Sequence, residues 1–128
     1  MGTNASFSEG AEAFKPYANL EEGLGRLMNN KGLYSKLLKR FQTNTEAVNS
    51  IEALLTAGDT QKALEEIHAI KGTSANLSLV NIQEAAASLE ADLKYVTGEN
   101  KDSLFEALKE SFNKTMGLLD DIIAFLEA

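Results

Sequence analysis

The amino-acid sequence predicts an all-α protein, folded as an antiparallel four-helix bundle with a short additional N-terminal helix. Apolar residues recur at helical spacing in five stretches of the 128 residues, and only one proline interrupts the chain. Each of the four long stretches has a single apolar stripe opposite a charged face. Short linkers between such helices make consecutive helices antiparallel neighbours. Because each long helix has only one clearly apolar face, we expect a monomer.

The first stretch is short and opens at Asn19, with Glu22 at the spacing of a capping box. Its apolar positions are Leu20, Leu24, Leu27 and Met28. Residues 1–17 show no comparable pattern, so we expect a flexible tail there. The bundle domain is then expected to comprise residues 18–128.

The second stretch predicts one continuous helix from Tyr34 to Ala57, ended by Gly58, which adopts positive φ readily. Its stripe consists of Leu37, Leu38, Phe41, Val48, Ile51, Leu54 and Leu55. The third stretch begins at Asp59 or Thr60, since either side chain can cap a helix. It directs inward the residues Ala63, Leu64, Ile67, Ile70, Lys71, Ser74 and Leu77.

The last two stretches have similar start signals. The fourth is predicted to begin near Asn81 and to bury apolar positions as far as Val96. The fifth opens with the capping box formed by Ser103 and Glu106. Both helices are long enough to contribute one side of a bundle.

Composition excludes several classes of function. The chain carries 19 acidic and 12 basic side chains, a net charge of −7, which argues against a nucleic-acid surface. The absence of cysteine excludes a disulfide framework, a zinc finger and a thiol nucleophile, and a single histidine excludes a multi-histidine metal site. Residues 1–14 lack the features of a secretory signal, and no apolar run is long enough to span a membrane. We therefore expect a cytoplasmic location and no membrane contact.

The one constellation with chemical potential surrounds His68. On a helical wheel, His68 shares a row with Gln61, Glu65 and Gly72, at the solvent edge of the buried stripe. Glycine inside a helix costs about 0.5–1 kcal/mol relative to alanine, and a larger side chain at position 72 would lean back over His68. Lys71 can bring its ammonium group beside the imidazole. An exposed ring nitrogen, a neighbouring cation and an open approach are what an anionic group attached to histidine requires.

Each of these features also has a simpler interpretation. A lone histidine on a helix is more often a surface residue than a reactive one, and a glycine within a helix can simply allow two helices to approach. Glu65 and His68 also match the Glu-x-x-His element of di-iron bundles. Such sites need a second copy of that element, which a chain with one histidine does not have.

Together these residues resemble a known family, the histidine-containing phosphotransfer (HPt) domains of multistep two-component phosphorelays. The family motif runs H-x-(L/I)-K-G-(S/A/T)-(S/A)-x-x-(L/I)-G, and the segment HAIKGTSANLS, which starts at His68, matches it except at its last position. Residues 22–41 are similar to the lead-in of many bacterial members, and Gly58-Asp59 and Leu89-Glu90 also fit. The resemblance spans residues 19–128.

The resemblance implies that His68 is the phosphorylated side chain, that Lys71 helps to neutralise the phosphoryl oxygens, and that Gly72 keeps the ring accessible. Glu90 stands where many members have a Gln or Glu that hydrogen-bonds the other ring nitrogen. Ser78 replaces the usual glycine, which ends the histidine helix in a left-handed conformation. We expect Ser78 to cap the following helix instead, which changes a turn and leaves the chemistry intact.

A carrier of this family accepts a phosphoryl group from a receiver-domain aspartate and passes it to a response regulator. The resemblance therefore implies receiver domains of response regulators or of a hybrid sensor kinase as partners, and the chain is expected to be free-standing or the cytoplasmic C-terminal part of a membrane-bound hybrid kinase. It implies no cofactor or metal in this chain, because Mg²⁺ belongs to the receiver, and no intrinsic kinase activity. The chain accordingly contains no G-x-x-x-x-G-K-(S/T) loop. Besides the ring itself, the expected docking surface comprises Gln61, Glu65, Ile67, Lys71, Ala75 and Asn76.

Two alternative functions remain open. The chain could be a helical interaction module that binds receivers without accepting phosphate, although the intact combination of His68, Lys71 and Gly72 argues against this. It could also be the histidine-bearing domain of a chemotaxis-type kinase, phosphorylated directly by an ATPase domain. The lead-in around Leu33 and Tyr34 favours the relay type.

Overall fold

The computed structural model describes the backbone of residues 2–96 and 98–128, and the side chains of residues 7–96 and 98–128. Within this part of the chain there are seven helices and no strand. The helices are α1 Gly2–Glu12, α2 Leu20–Arg26, α3 Lys31–Gln42, α4 Ala47–Thr56, α5 Thr60–Asn76, α6 Val80–Tyr95 and α7 Lys101–Glu127. No helix in the described residues is long and apolar enough to cross a membrane.

The helices form a four-helix bundle, as the apolar pattern predicts. Helices α5, α6 and α7 each fill one position, and α3 and α4 together fill the fourth. Helix α6 lies between α5 and α7, α3 packs on α7, and α4 packs mainly on α5. Their apolar stripes meet in one core, in which the largest fully buried side chains include Tyr34, Leu38, Ile51, Ile67, Ile82, Leu89, Leu108, Leu119 and Ile122.

The predicted continuous helix from Tyr34 to Ala57 is wrong, because the chain breaks between α3 and α4. At the end of α3, the hydroxyl group of Thr43 donates a hydrogen bond to the carbonyl oxygen of Arg40, 2.7 Å away. Side-chain bonds of this kind compete with the backbone hydrogen bonds of a helix, and the following Asn44 also favours a turn. The apolar residues keep helical spacing on both sides of the break, so periodicity does not reveal it.

The N-terminal segment contains a helix that the sequence did not predict. Residues that were expected to lie in a flexible tail form the helix α1, Gly2–Glu12. The rings of Phe7 and Phe14 pack on Phe125 of α7, with centroid distances of 5.0 and 5.8 Å. Because this partner lies more than a hundred residues along the chain, no local pattern could predict the contact.

Two of the predicted helix caps are confirmed. The side chain of Asn19 accepts a hydrogen bond from the backbone of Glu22, and that of Asp59 accepts one from Lys62, each at 3.2 Å. Asp59 thereby fixes the start of α5, the helix that carries His68.

The predicted start of α6 near Asn81 agrees with the structure, in which this helix begins at Val80. The predicted start of α7 at Ser103 is wrong. Helix α7 begins before Ser103, whose hydroxyl group donates to the carbonyl oxygen of Asn100 at 3.2 Å. The backbone N–H of Asn100 points instead at the buried carboxylate of Asp92, a cap supplied by the preceding helix. Two predicted core positions, Met28 and Val96, are 92% and 46% exposed.

Candidate functional site

His68 lies in the middle of α5, between buried and exposed faces of that helix. Its neighbours Ile67 and Ile70 point into the core, which fixes the rotation of the helix. The imidazole itself is 68% exposed. The core therefore supports the ring from below and leaves its outer edge open to solvent.

Glu90 of α6 holds both the imidazole and Lys71. Its Oε2 lies 2.8 Å from Nδ1 of His68, and its Oε1 accepts a hydrogen bond of 2.5 Å from Nζ of Lys71. The carboxylate is only 7% exposed, whereas the imidazole and the ammonium group reach the surface. One buried carboxylate thus orients the two side chains that the sequence singles out on α5.

Lys94, one turn after Glu90, adds a second cation to the cluster. Its Nζ lies 3.7 Å from Oε2 of Glu90, the oxygen that also faces His68. The sequence suggests only a weak surface pair between Lys94 and Glu90. Lys94 comes close to His68 only because α6 packs against α5. The spacing between Glu90 and Lys94 does not indicate that packing.

The ionisation of Glu90 determines the tautomer of His68. Burial raises the pKa of Glu90, but hydrogen bonds from Lys71 and His68 outweigh this effect and hold the pKa below its ordinary value. An ionised carboxylate can only accept hydrogen bonds, so Nδ1 of the imidazole must carry the proton. Nε2 then presents its lone pair to solvent, as a nucleophile requires.

Gly72 lies one turn after His68 and borders open space. A Cβ atom built at Gly72 would meet no atom of the surrounding chain within 4 Å. The internal packing of this protein therefore does not require glycine at this position. No atom of the surrounding chain fills the space beside Gly72, so that space is open to a molecule that approaches from outside.

The predicted docking residues do not all reach the surface. Gln61, Glu65 and Asn76 are exposed, and Lys71 and Ala75 are partly exposed. Ile67, in contrast, is completely buried, so its prediction as a contact residue is wrong. Its place on α5 faces the bundle core, where it supports the helix beneath His68.

Ser78 ends the histidine helix in a way that corrects the sequence-based expectation. It does not cap α6, since the residue at that position is Leu79. Ser78 itself adopts the left-handed conformation with φ of 55°, as glycine would. Its buried hydroxyl group accepts a hydrogen bond from Arg26 and donates one to Glu22, at 2.8 Å in the latter case.

Tyr34 secures the same end of α5 and was not predicted to do so. Its completely buried hydroxyl group donates to the carbonyl oxygen of Leu77 at 2.6 Å. Burial raises the pKa of Tyr34 far above its ordinary value, so the hydroxyl group stays protonated. A tyrosine within an apolar stripe indicates burial, but nothing in its spacing indicates which carbonyl it meets.

The site contains no metal centre within the described residues, where no group of three His, Asp or Glu side chains could hold an ion. Its parts are one exposed histidine with a defined free nitrogen, a buried carboxylate and two ammonium groups. An antiparallel helical bundle with this arrangement is a protein that can carry an anionic group on histidine.

Comparison with protein families identifies that class. The model of the Hpt domain matches residues 37–125, most of the chain, and the chain therefore belongs to the Hpt family. Hpt domains carry phosphoryl groups on histidine in phosphorelays and interact with receiver domains of response regulators. The resemblance stated from the sequence is confirmed, although residues 19–36 of the lead-in lie outside the match. No curated protein and no solved structure matched the chain.

Proposed function

We propose that Nε2 of His68 accepts a phosphoryl group from the aspartyl phosphate of a receiver domain and passes it to a response regulator in a bacterial two-component phosphorelay. The Nε2 lone pair forms the N–P bond while the bond from phosphorus to the aspartate oxygen breaks, and the aspartate leaves as a carboxylate. The same exchange in reverse loads the next aspartate. Neither step needs a further reactant.

The contact between Nδ1 and Glu90 carries this proposal. It supports a protonated Nδ1 and a free Nε2 in the ground state, so the ring needs no tautomer change before attack. Once phosphorus is bound to Nε2, the imidazole bears positive charge, and the carboxylate stabilises the remaining N–H.

Lys71 is proposed to neutralise the phosphoryl oxygens. An ammonium group has three donors, and only one points to Glu90 in the described residues. Lys71 can therefore keep Glu90 in place and still donate to an oxygen of the phosphoryl group. Its partial exposure of 31% allows this approach.

The receiver is proposed to supply Mg²⁺ and most of the catalysis. In this reading, the chain is a carrier without kinase activity, and its partners are receiver domains of a response regulator or of a hybrid sensor kinase. Gly72 supports close approach of such a partner, because nothing in the chain fills the space beside it. The cytoplasmic location stays a prediction.

A transfer assay tests the proposal. Receiver domains from the same source, phosphorylated with labelled phosphate in the presence of Mg²⁺, are mixed with the full chain and with His68→Gln. We expect label on the wild-type chain alone, because the chain has no other histidine. Nitrogen-15 spectra of the labelled chain should assign the phosphoryl group to Nε2. Absence of label with every receiver, or label on Nδ1, would contradict the proposal.

A further inference from the structure

Helix α1 lies on a small surface where α7 ends. The ring of Phe125, in the last turn of α7, contacts the rings of Phe7 and Phe14, with centroid distances of 5.0 and 5.8 Å. Nζ of Lys31, at the start of α3, lies 4.9 Å from the centroid of the Phe7 ring. We call Phe125 and Lys31 together the α1 seat.

The segment on this seat has the spacing of a recognition helix. Phe7, Ala11 and Phe14 follow one another at i, i+4 and i+7, the pattern with which amphipathic helices bind in apolar grooves. The backbone at Gly10 lies directly on the ring of Phe125, since a Cβ atom built there would overlap that ring. The ring also contacts Phe7 and Phe14, so a movement that made room for a side chain at position 10 would disturb both contacts. The seat therefore fits this particular segment.

Side chains alone join α1 to the other helices within the described residues. The hydroxyl group of Ser8 donates a hydrogen bond of 3.2 Å to Glu21, and no backbone hydrogen bond links α1 to another helix there. Backbone hydrogen bonds to the bundle begin after α1: the carbonyl oxygen of Tyr17 accepts one from α6, and the N–H of Asn19 donates one to Ser78 at 2.9 Å. Loss of the side-chain contacts would therefore release α1 and leave the following segment in place.

Helix α1 is also too short to be stable by itself. It has 11 residues, and isolated helices shorter than about 12–15 residues are only marginally stable in water. It lies outside residues 37–125, which match the Hpt family. Elements with few buried contacts open at a lower free energy than the core of a domain. These features favour the opening of α1 before that of any core helix.

We propose that α1 detaches from the α1 seat while the bundle stays folded, and that the seat then binds α1 of a second copy of this chain, so that two chains exchange these helices. The second copy fits because its α1 carries the same aromatic spacing and the same glycine. Exchange of an identical element restores the contacts of the closed chain and is a low-cost route to a dimer. Within one chain, the short connection to α2 keeps α1 at an effective concentration of about 1 mM, so the closed monomer dominates in dilute solution. This inference does not depend on phosphoryl transfer.

Paramagnetic broadening measures the exchange between two copies. The chain has no cysteine, so Glu9→Cys, at an exposed position of α1, carries the only nitroxide label. This chain is mixed with an equal amount of nitrogen-15 chain without nitroxide, and the amide signals of the second chain are recorded. We expect broadening at Ala124 and Phe125 at about 1 mM protein and several-fold less at about 0.05 mM, because the closed form competes. No broadening at the higher concentration would overturn the second copy as the occupant.

Hydrogen exchange in the full chain measures detachment. The amides of α1 should exchange at least about 100-fold faster than the buried amides of α7, since local opening needs less free energy than global unfolding. Equal rates in the two helices would show that α1 opens only with the whole bundle, and they would overturn the proposal.

Gly10→Leu tests the seat, and Gly117→Leu is its matched control. A side chain at position 10 meets the ring of Phe125, whereas one at position 117 borders open space. Gly10→Leu should abolish the broadening while the amide signals of α5, α6 and α7 keep their folded positions, and Gly117→Leu should keep the broadening. Broadening that persists in Gly10→Leu would be a non-specific contact and would overturn the seat. An unfolded bundle in Gly10→Leu would show that α1 is not independent, which would equally overturn the proposal.

Discussion

Two polar clusters lie along α5, the helix that carries His68. They differ in whether a polar atom is left without a hydrogen-bond partner. In the middle of α5, the buried Glu90 holds His68 and Lys71, whose side chains extend outward and leave Nε2 facing solvent. At the end of α5, the hydroxyl group of Ser78 lies between Arg26 and Glu22 and is completely buried. The first cluster leaves a ring nitrogen open to solvent, whereas the hydroxyl group at the centre of the second makes its hydrogen bonds within the chain.

This difference shows that a group of polar residues is not a functional site by composition alone. Both clusters contain a carboxylate and at least one cation. In the cluster at the end of α5, hydrogen bonds from Ser78 and Arg26 hold the pKa of Glu22 below its ordinary value. The carboxylate is ionised there too, but it accepts its hydrogen bonds from Arg26 of its own helix and from Ser78 in the turn between α5 and α6. The accessible lone pair distinguishes the site.

The largest expected effect comes from removing the carboxylate of the open cluster. Glu90→Ala deprives Nδ1 of its acceptor, so the tautomer with a free Nε2 loses its advantage and label transfer should slow by about 10–100-fold. Glu90→Gln keeps an acceptor oxygen and should restore most of the rate. The measurement is the initial rate of label transfer from phosphorylated receiver.

Glu84→Ala on the same helix is the control, because Glu84 is exposed and belongs to neither cluster. It should transfer at the wild-type rate. If Glu90→Ala also did so, the tautomer argument would be wrong.

The next effect separates access to the ring from helix stability. Gly72→Gln should slow label transfer by about tenfold or more, because the new side chain covers His68. It should also raise the free energy of unfolding by about 0.5–1 kcal/mol, since glycine is a poor helix former and open space surrounds it. Urea unfolding and the transfer assay measure the two quantities.

Gly117 offers a matched control within α7, where a Cβ atom would likewise meet nothing within 4 Å. Gly117→Gln should give a similar gain in stability and leave transfer unchanged. Equal transfer rates for both glycine variants would contradict the proposed role of Gly72.

The smallest effect is expected in the closed cluster. Ser78→Ala keeps the left-handed backbone and loses the hydroxyl contacts, so it should lower the free energy of unfolding by about 1 kcal/mol. Ser78→Gly loses the same contacts but relieves a backbone conformation that costs about 1–2 kcal/mol in other residues, so the two effects nearly cancel. Urea unfolding of both variants checks this order, and both should transfer label normally. If Ser78→Ala were more stable than Ser78→Gly, the positive φ at this position would not determine the order of the two variants.

The sequence predicts the bundle well because periodic apolar residues act locally. The stripes of α5, α6 and α7 follow from spacing alone, and the caps at Asn19 and Asp59 depend on residues three positions apart. The break after Gln42 was not predicted, because the apolar spacing continues beyond it. The predicted start of α7 at Ser103 was wrong because the chain enters this helix at Asn100, whose backbone N–H donates a hydrogen bond to Asp92 of the preceding helix.

Within the site, the sequence singled out the histidine and its near neighbours on one helix. His68, Lys71 and Gly72 are local and recognisable by their spacing, and Glu90 was implied by family resemblance. The part played by Lys94 was not predicted, since it depends on how α6 lies against α5. Ile67 was predicted both in the inward stripe and on the docking surface, and only the first prediction is right, since its side chain points into the core.

The sequence by itself determined the helical class, the family and the candidate reactive residue, because each depends on residue types at short, fixed spacings. Only the tertiary structure decided which nitrogen of His68 is free, since that depends on a carboxylate 22 residues away. The tertiary structure also decided that α3 and the end of α5 leave an open groove between them, with Arg40 on its wall. Packing of one helix against another fixes both features, and no local pattern encodes a distance between two helices.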